Sequence, residues 1–204
     1  MEKNQQELEF FFDVVSPYSY LAATQLHNLG QFSGVRVRWR PFFLGGVFQA
    51  VENEMPARIP AKAQYMIRDL HRWAQDYGVE LRYPSVFPAK TLVAQRALIA
   101  AGRGDEAGIE PFALALFRAY WVEDRDVSDP EVVAAVAQQV GLSGAELVTQ
   151  AGTQPIKDAL RDATDEAVRR GAFGAPTFFL GDEMYWGNDR LAFVEAALQE
   201  RSGQ

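Results

Sequence analysis

Hydrophobic positions along the chain follow two rhythms. Leu8–Val15 (LEFFFDVV) is an almost unbroken apolar run of strand-forming residues, as expected of a strand buried on both faces. It stops at Ser16-Pro17. Serine at an N-cap and proline at the first helical position predict a helix from Tyr18 to Leu29, closed by Gly30. Val35–Pro41 (VRVRWRP) alternates apolar and basic residues and reads as a strand with one exposed face. Strand, helix and strand in that order predict a parallel βαβ unit.

The pattern then turns helical. Gly45–Ile59 is expected to be a loop of mixed polarity, after which Lys62–Tyr77 puts Ala63, Met66, Leu70, Trp73, Ala74 and Tyr77 on one helical face. Ser128 with Glu131, and Ser143 with Glu146, have the spacing of capping boxes. Ile156, Leu160, Ala163 and Ala167 stripe a further helix that ends at Gly171. Strand character returns only after Gly174-Ala175-Pro176. Thr177–Leu180 is a short apolar strand, Gly181-Asp182 a turn, Glu183–Trp186 its hairpin partner, and Leu191, Val194 and Leu198 stripe a closing helix. The layout predicts an α/β fold, a thioredoxin-like βαβ…ββα core interrupted by a large all-helical insertion. Residues 1–44 and 172–204 form the core domain and residues 45–171 the insertion.

Composition narrows the partners. A net charge of −7 with no basic stripe argues against nucleic acid. No apolar run has the length of a membrane span, and MEKNQQELEFFF has no basic region followed by an apolar core, so no signal peptide is predicted. The sequence contains no cysteine, which excludes disulfides and thiolate metal sites and fits a reducing compartment, by default the cytoplasm. His27 and His71 each stand alone on predicted helices, so no metal site is expected. Gly102-Arg103-Gly104-Asp105 reads as a loop, and Asp162, Asp165 and Glu166 as a solvated helix face paired with arginines. No phosphate loop, dinucleotide fingerprint or Ser-His-Asp signature is present.

Two places carry candidate chemistry. Ser16 and Ser19 have the spacing of a Cys-x-x-Cys redox motif at a strand-to-helix turn. Ser16 reads as a helix cap, and the same hydroxyl can donate to an anion held at the first helical turn. No histidine is placed to make it a nucleophile. Gly174-Ala175-Pro176-Thr177 reads either as an ordinary turn or as a cis-proline that opens the preceding backbone to a ligand. Phe42, Phe43 and Trp186 fit an apolar site wall and core packing equally well.

Taken together, FDVVSPYSYLA, NEMPARIPAK with LHRWAQDYG, and GAFGAPTFFLGDEMYWGNDRL resemble the 2-hydroxychromene-2-carboxylate isomerases and kappa-class glutathione transferases. The resemblance spans nearly the whole chain, and GDEMYWGNDRL is closer to the isomerases. It implies a core domain that binds glutathione and a catalytic serine at Ser16, beside Pro17 and Tyr18. It places Asn53 and Lys62 on the glutathione site. Ala175, before a cis Pro176, then offers its backbone to the cysteinyl part, and Asn188 and Asp189 hold the γ-glutamyl end. Ala175 stands where a larger Leu or Val is usual. The resemblance further implies a homodimer and a small aromatic keto-acid substrate in aromatic-hydrocarbon (naphthalene) degradation. The isomerisation would run by reversible addition of the glutathione thiolate. A thiol of pKa about 8.5 is only a few per cent ionised near neutrality. A hydrogen bond from Ser16 is expected to lower that value by about one or two units, each worth about 1.4 kcal/mol. Transferase or peroxidase activity, and a non-catalytic binding module, remain open alternatives.

Overall fold

The computed structural model describes residues 6–103 and 105–202; the N-terminal MEKNQ, Gly104 and the last two residues lie outside it. In chain order the elements are β1 (Glu7–Phe12), α1 (Pro17–Ala23), α2 (Leu26–Ser33), β2 (Arg36–Pro41), α3 (Leu44–Ala50), α4 (Pro60–Tyr77) and α5 (Leu92–Ala101). There follow α6 (Ile109–Trp121), α7 (Pro130–Gln139), α8 (Gly144–Ala151), α9 (Gln154–Arg169), β3 (Thr177–Leu180), β4 (Glu183–Trp186) and α10 (Leu191–Ser202). Single 3₁₀ turns occupy Pro56–Arg58, Glu106–Gly108 and Asn188–Arg190.

The strands form one mixed sheet in the order β2-β1-β3-β4, with β1 parallel to β2 and antiparallel to β3, and β3 antiparallel to β4. In this register Phe10 faces Trp39 on one side and Phe178 on the other. The uninterrupted phenylalanines of β1 fill both faces of the sheet. Phe10 stacks on Phe12 and Phe178 and meets the edge of Trp39, within the larger core built with most of the helices. Phe11 points the other way, against Phe42 and Phe179, into a smaller core closed by Leu44 and Val47 of α3 and Ala167 of α9. Burying such side chains contributes about 1.5–3 kcal/mol each. This is why β1 lacks polar alternation.

Of the basic residues of β2, Arg36 stays exposed and Arg38 partly so, whereas Arg40 is mostly buried. Arg40 pairs with Glu9 at 2.5 Å and with Glu166 of α9, while Arg170 pairs with Glu9 at 2.6 Å and donates to the Gly181 carbonyl at 3.1 Å. Arg40 lies 4.7 Å over the Phe11 ring, and Arg170 lies 3.8 Å over that of Phe179. Arg38 pairs with Glu106 at 2.8 Å. Glu166 therefore ties α9 to the sheet, where the sequence pattern suggested solvent.

Four local expectations are corrected. The first helix is two: Thr24 caps α1, its hydroxyl bonding back to the Leu21 carbonyl at 2.7 Å, and α2 starts at Leu26. The second helix runs through Gly30, and the turn comes at Gly34, whose φ of 63° needs no Cβ. Residues 45–59 hold α3 and a 3₁₀ turn, because Leu44 and Val47 are buried against the sheet. At α7 the cap is Asp129, which accepts from the Glu131 amide at 2.8 Å, while Ser128 bonds to Asp126 instead. Ser143 does occupy the N-cap of α8 but makes no side-chain cap bond.

Candidate active site

The turn from β1 into α1 is fixed from several directions before any ligand is considered. The two parallel strands end here, and their last buried carbonyls and amides need partners. Gln95, fully buried on α5, donates to the Phe12 carbonyl at 2.9 Å and to the Phe42 carbonyl at 2.7 Å, and accepts from the Val14 amide at 3.4 Å. Trp121 of α6 donates to the Val14 carbonyl at 2.8 Å. Asp13, also fully buried, accepts from the Val15 amide at 3.1 Å and the Leu44 amide at 2.9 Å, and its carbonyl accepts from the Ser16 amide at 2.9 Å. Burial pushes the Asp13 carboxyl up to about 6, against the opposing pull of the Leu44 and Val15 amides and of the nearby Thr91 side chain. The Thr91 hydroxyl itself has no partner in hydrogen-bonding geometry.

This frame presents Ser16 at the N-cap of α1, with Pro17 next to it at the first helical position. The Ser16 hydroxyl accepts from the Ser19 amide at 3.1 Å and donates to the Ala175 carbonyl at 3.1 Å. The Ala175-Pro176 bond is cis, the alternative that opens this backbone. Ser19 is fully buried, and its hydroxyl has no partner among the described residues. With seven residues, α1 supplies only a short dipole, so the hydroxyl is the stronger anion-directed group at this turn.

A cavity of about 1110 Å³ opens beside the turn. It brings together Ser16, Pro17, Tyr18, Asn53, Lys62, Ala175, Asn188 and Asp189 from four separate stretches of chain. Pro176 is buried behind Ala175 and does not line it. Lys62 lies exposed in the first turn of α4. Asn53 is already engaged, donating to the Phe173 carbonyl at 3.1 Å and accepting from the Glu54 amide at 2.8 Å. Asn188 is buried, donating to the Tyr77 hydroxyl at 3.3 Å, and that hydroxyl donates to the Asn188 carbonyl at 3.2 Å. Asp189 accepts from Arg190 at 2.6 Å. Gly187 precedes this pair with φ of 104°, and a Cβ there would lie 2.4 Å from the Asp189 carboxylate. Only glycine serves at that position.

Of the three proposed wall aromatics, Phe43 and Trp186 line the cavity, whereas Phe42 is fully buried in the smaller core. Trp186 packs against Phe173 with ring centroids 4.8 Å apart. Several lining residues escaped sequence reading. Asp13 hid inside an apolar strand, although a lone carboxylate in FFFDVV was itself a signal. Asp69 accepts from the Tyr18 hydroxyl at 3.0 Å, and together with burial it drives the Tyr18 phenol well above its usual range. Trp73 and the Phe87–Leu92 segment, with a cis Phe87-Pro88 bond, complete the far wall. Chemically the site offers a fixed hydroxyl, the carbonyl preceding a cis-proline, two lysines (Lys62 and Lys90) with no ion-pair partner among the described residues, and extensive apolar surface.

A four-stranded mixed sheet, a strand-to-helix turn at the end of its interior strand β1 and a facing cis-proline define a thioredoxin-fold protein with a helical insertion. The chain belongs to the DSBA-like thioredoxin domain family, which it matches over residues 7–199. It is 34% identical over 193 residues to a 2-hydroxychromene-2-carboxylate isomerase of Pseudomonas putida, covering 94% of this chain and 93% of that one. It is 32% identical over 210 residues to glutathione S-transferase kappa 2 of Caenorhabditis elegans, covering 97% of this chain and 93% of that one. Among solved structures, a 2-hydroxychromene-2-carboxylate isomerase superposes with a TM-score of 0.87 at 31% identity, covering 95% of both chains. Unlike a dithiol oxidoreductase, this chain contains no cysteine. No helix among the described residues is long and apolar enough to cross a membrane.

Proposed function

We propose that this chain is a glutathione-dependent isomerase that interconverts 2-hydroxychromene-2-carboxylate and trans-o-hydroxybenzylidenepyruvate. The observation that carries the reading is the Ser16 hydroxyl, held at the Cys position of a redox-type turn and bonded to the cis-proline carbonyl of Ala175. The surrounding groups fit a zwitterionic tripeptide. Lys62 answers a carboxylate, Asp189 an ammonium, and the Ala175 backbone a peptide amide. Bound there, glutathione supplies the nucleophilic thiol that the chain lacks, whose reversible addition makes a substrate double bond rotatable.

The protein's own part is orientation and charge. Ser16 turns its proton from Ala175 toward the sulfur, favouring the thiolate. Asn53, Pro17, Tyr18, Pro176 and Asn188 hold the backbone and the γ-glutamyl end in register. Residues 1–44 and 172–204 supply most of the glutathione site, and residues 45–171 add Asn53 and Lys62 to it and contribute substrate walls. The same reading places the protein in the cytoplasm as a homodimer, acting in aromatic-hydrocarbon breakdown. A kappa-class-like transferase or peroxidase is the second reading, favoured by the relative that covers 97% of the chain.

Incubation with the hydroxychromene carboxylate, with and without glutathione, separates the two. Glutathione-dependent isomerisation with no loss of titratable thiol is expected. Stoichiometric conjugate or oxidised glutathione without isomerisation supports the transferase. Absence of glutathione binding by calorimetry overturns both.

A further inference from the structure

The lining of the cavity extends beyond the residues assigned to glutathione. Single-ligand clefts run to roughly 300–1,000 Å³, and this one holds about 1110 Å³. Beyond Ser16, Ala175, Asn188, Asp189 and Lys62, the lining includes Trp73 of α4 and the segment Phe87–Leu92 that enters α5. Its first five residues, through Thr91, carry one charged side chain, Lys90.

The acidic groups Asp13, Asp69, Asp189 and Glu54 around the cavity are already engaged. Asp13 accepts two backbone amides, Asp69 accepts from Tyr18 and Tyr65, Asp189 pairs with Arg190, and Glu54 pairs with Arg58. Lys90 is exposed to the cavity and has no ion-pair partner among the described residues, although the chain carries 27 acidic residues and a net charge of −7. The start of α5 reinforces it. Thr91 makes no side-chain cap bond and the first turn has no acidic residue, so the positive end of the helix is not neutralised there. Asp13, which the Thr91 side chain approaches, opposes an anion placed deep in the cavity. An anion is therefore best met at the exposed ammonium of Lys90.

We propose that Lys90 is a specificity-determining residue that binds the carboxylate of the second substrate, an aryl-conjugated acid whose ring packs on the Trp73 and Phe87 side of the cavity. This rests on the assignment of the Ser16 side to glutathione. Lys62 and Lys90 then divide two anions between two walls.

The test compares Lys90→Gln, Lys90→Glu and Lys90→Arg with the parent, at saturating glutathione, on the carboxylate substrate and on its methyl ester. For Lys90→Gln the KM of the acid is expected to rise about tenfold, and further for Lys90→Glu. Lys90→Arg should stay near the parent, while ester kinetics and calorimetric glutathione binding stay unchanged in all three. An unchanged KM for the acid in Lys90→Gln overturns the assignment, as does equal weakening of acid and ester. A parent protein without isomerase turnover fails the functional reading but not this one. Binding of benzylidenepyruvate, followed by tryptophan fluorescence, then decides: loss in Lys90→Gln supports the assignment, and parent-like binding overturns it.

Discussion

The Ser16 hydroxyl donates to the carbonyl of Ala175, 159 residues away in sequence, at 3.1 Å. This bond joins the strand-to-helix turn to the cis-proline turn, the two features that face a ligand. It also commits the only proton that the Ser16 hydroxyl has to give. In the proposed function the hydroxyl rotates toward sulfur and the freed carbonyl accepts from a ligand amide, so one internal bond is exchanged for two external ones. The Ser19 amide keeps its bond to the Ser16 oxygen in either state, which holds the oxygen in place while the proton turns.

Asp13 gives the fold an unusual pH dependence. Its carboxyl rises from an ordinary 3.8 to about 6 because burial penalises the charge. Between those values the folded protein holds a proton that the unfolded chain has released, so this group's contribution to stability falls as pH rises through the window and is flat above it. Relative to Asp13→Asn, the parent should lose on the order of 3 kcal/mol of stability between about pH 4 and pH 6. Urea unfolding of both proteins across that range measures the difference. A pH-independent gap between them would contradict the buried-carboxyl account.

Gln95 is the second support. Gln95→Leu strips partners from the Phe12 and Phe42 carbonyls and the Val14 amide, all in the interior. Each orphaned buried group costs about 1–3 kcal/mol, so a loss of roughly 3 kcal/mol or more is expected in urea unfolding. Because the turn into Ser16 loses a tether, kcat should fall as well, with glutathione affinity less affected. A loss of less than about 1 kcal/mol would mean that the strand ends are held by other means.

The two supports show where sequence reading stops. The strands, the Ser16 cap and the hairpin were legible because each is local: an apolar run, a Ser-Pro step, a Gly-Asp turn; the turn at Pro176 was legible as a turn, and the residues left its cis bond open. Eight of the nine expected site residues line one cavity; Ser16 sits in such a local motif, whereas Asn53, Lys62, Asn188 and Asp189 were expected from the family resemblance. Gln95 lies beside Arg96 in an otherwise apolar α5, and its role depends on strand ends some 53 and 83 residues away. Glu166 makes the expected i,i+4 pair with Arg170, but its pair with Arg40 forms only through the sheet and takes it out of a purely solvated face. The helix from Tyr18 broke at Thr24 because a threonine hydroxyl can satisfy the Leu21 carbonyl, a choice that helix periodicity does not register.

The ionic cluster on the sheet should behave as a partly buried network. Glu9 and Arg40 side chains are each 15% exposed. Glu9→Gln leaves Arg40 and Arg170 sharing Glu166 alone, with an expected cost of about 1–3 kcal/mol. Being shielded, that cost should change little between low and high salt. A penalty that vanishes in high salt would place the cluster among ordinary surface pairs.

The most direct test of the account is the titration of the thiol of bound glutathione, followed by ultraviolet thiolate absorbance in the parent and in Ser16→Ala. The parent should hold the thiol about one to two units below the roughly 8.5 of a free thiol. Ser16→Ala should return it toward that value and lower turnover, while losing only about 1 kcal/mol of stability as a missing helix cap. Identical titrations and rates in the two proteins would contradict the account and leave Ser16 as a cap alone.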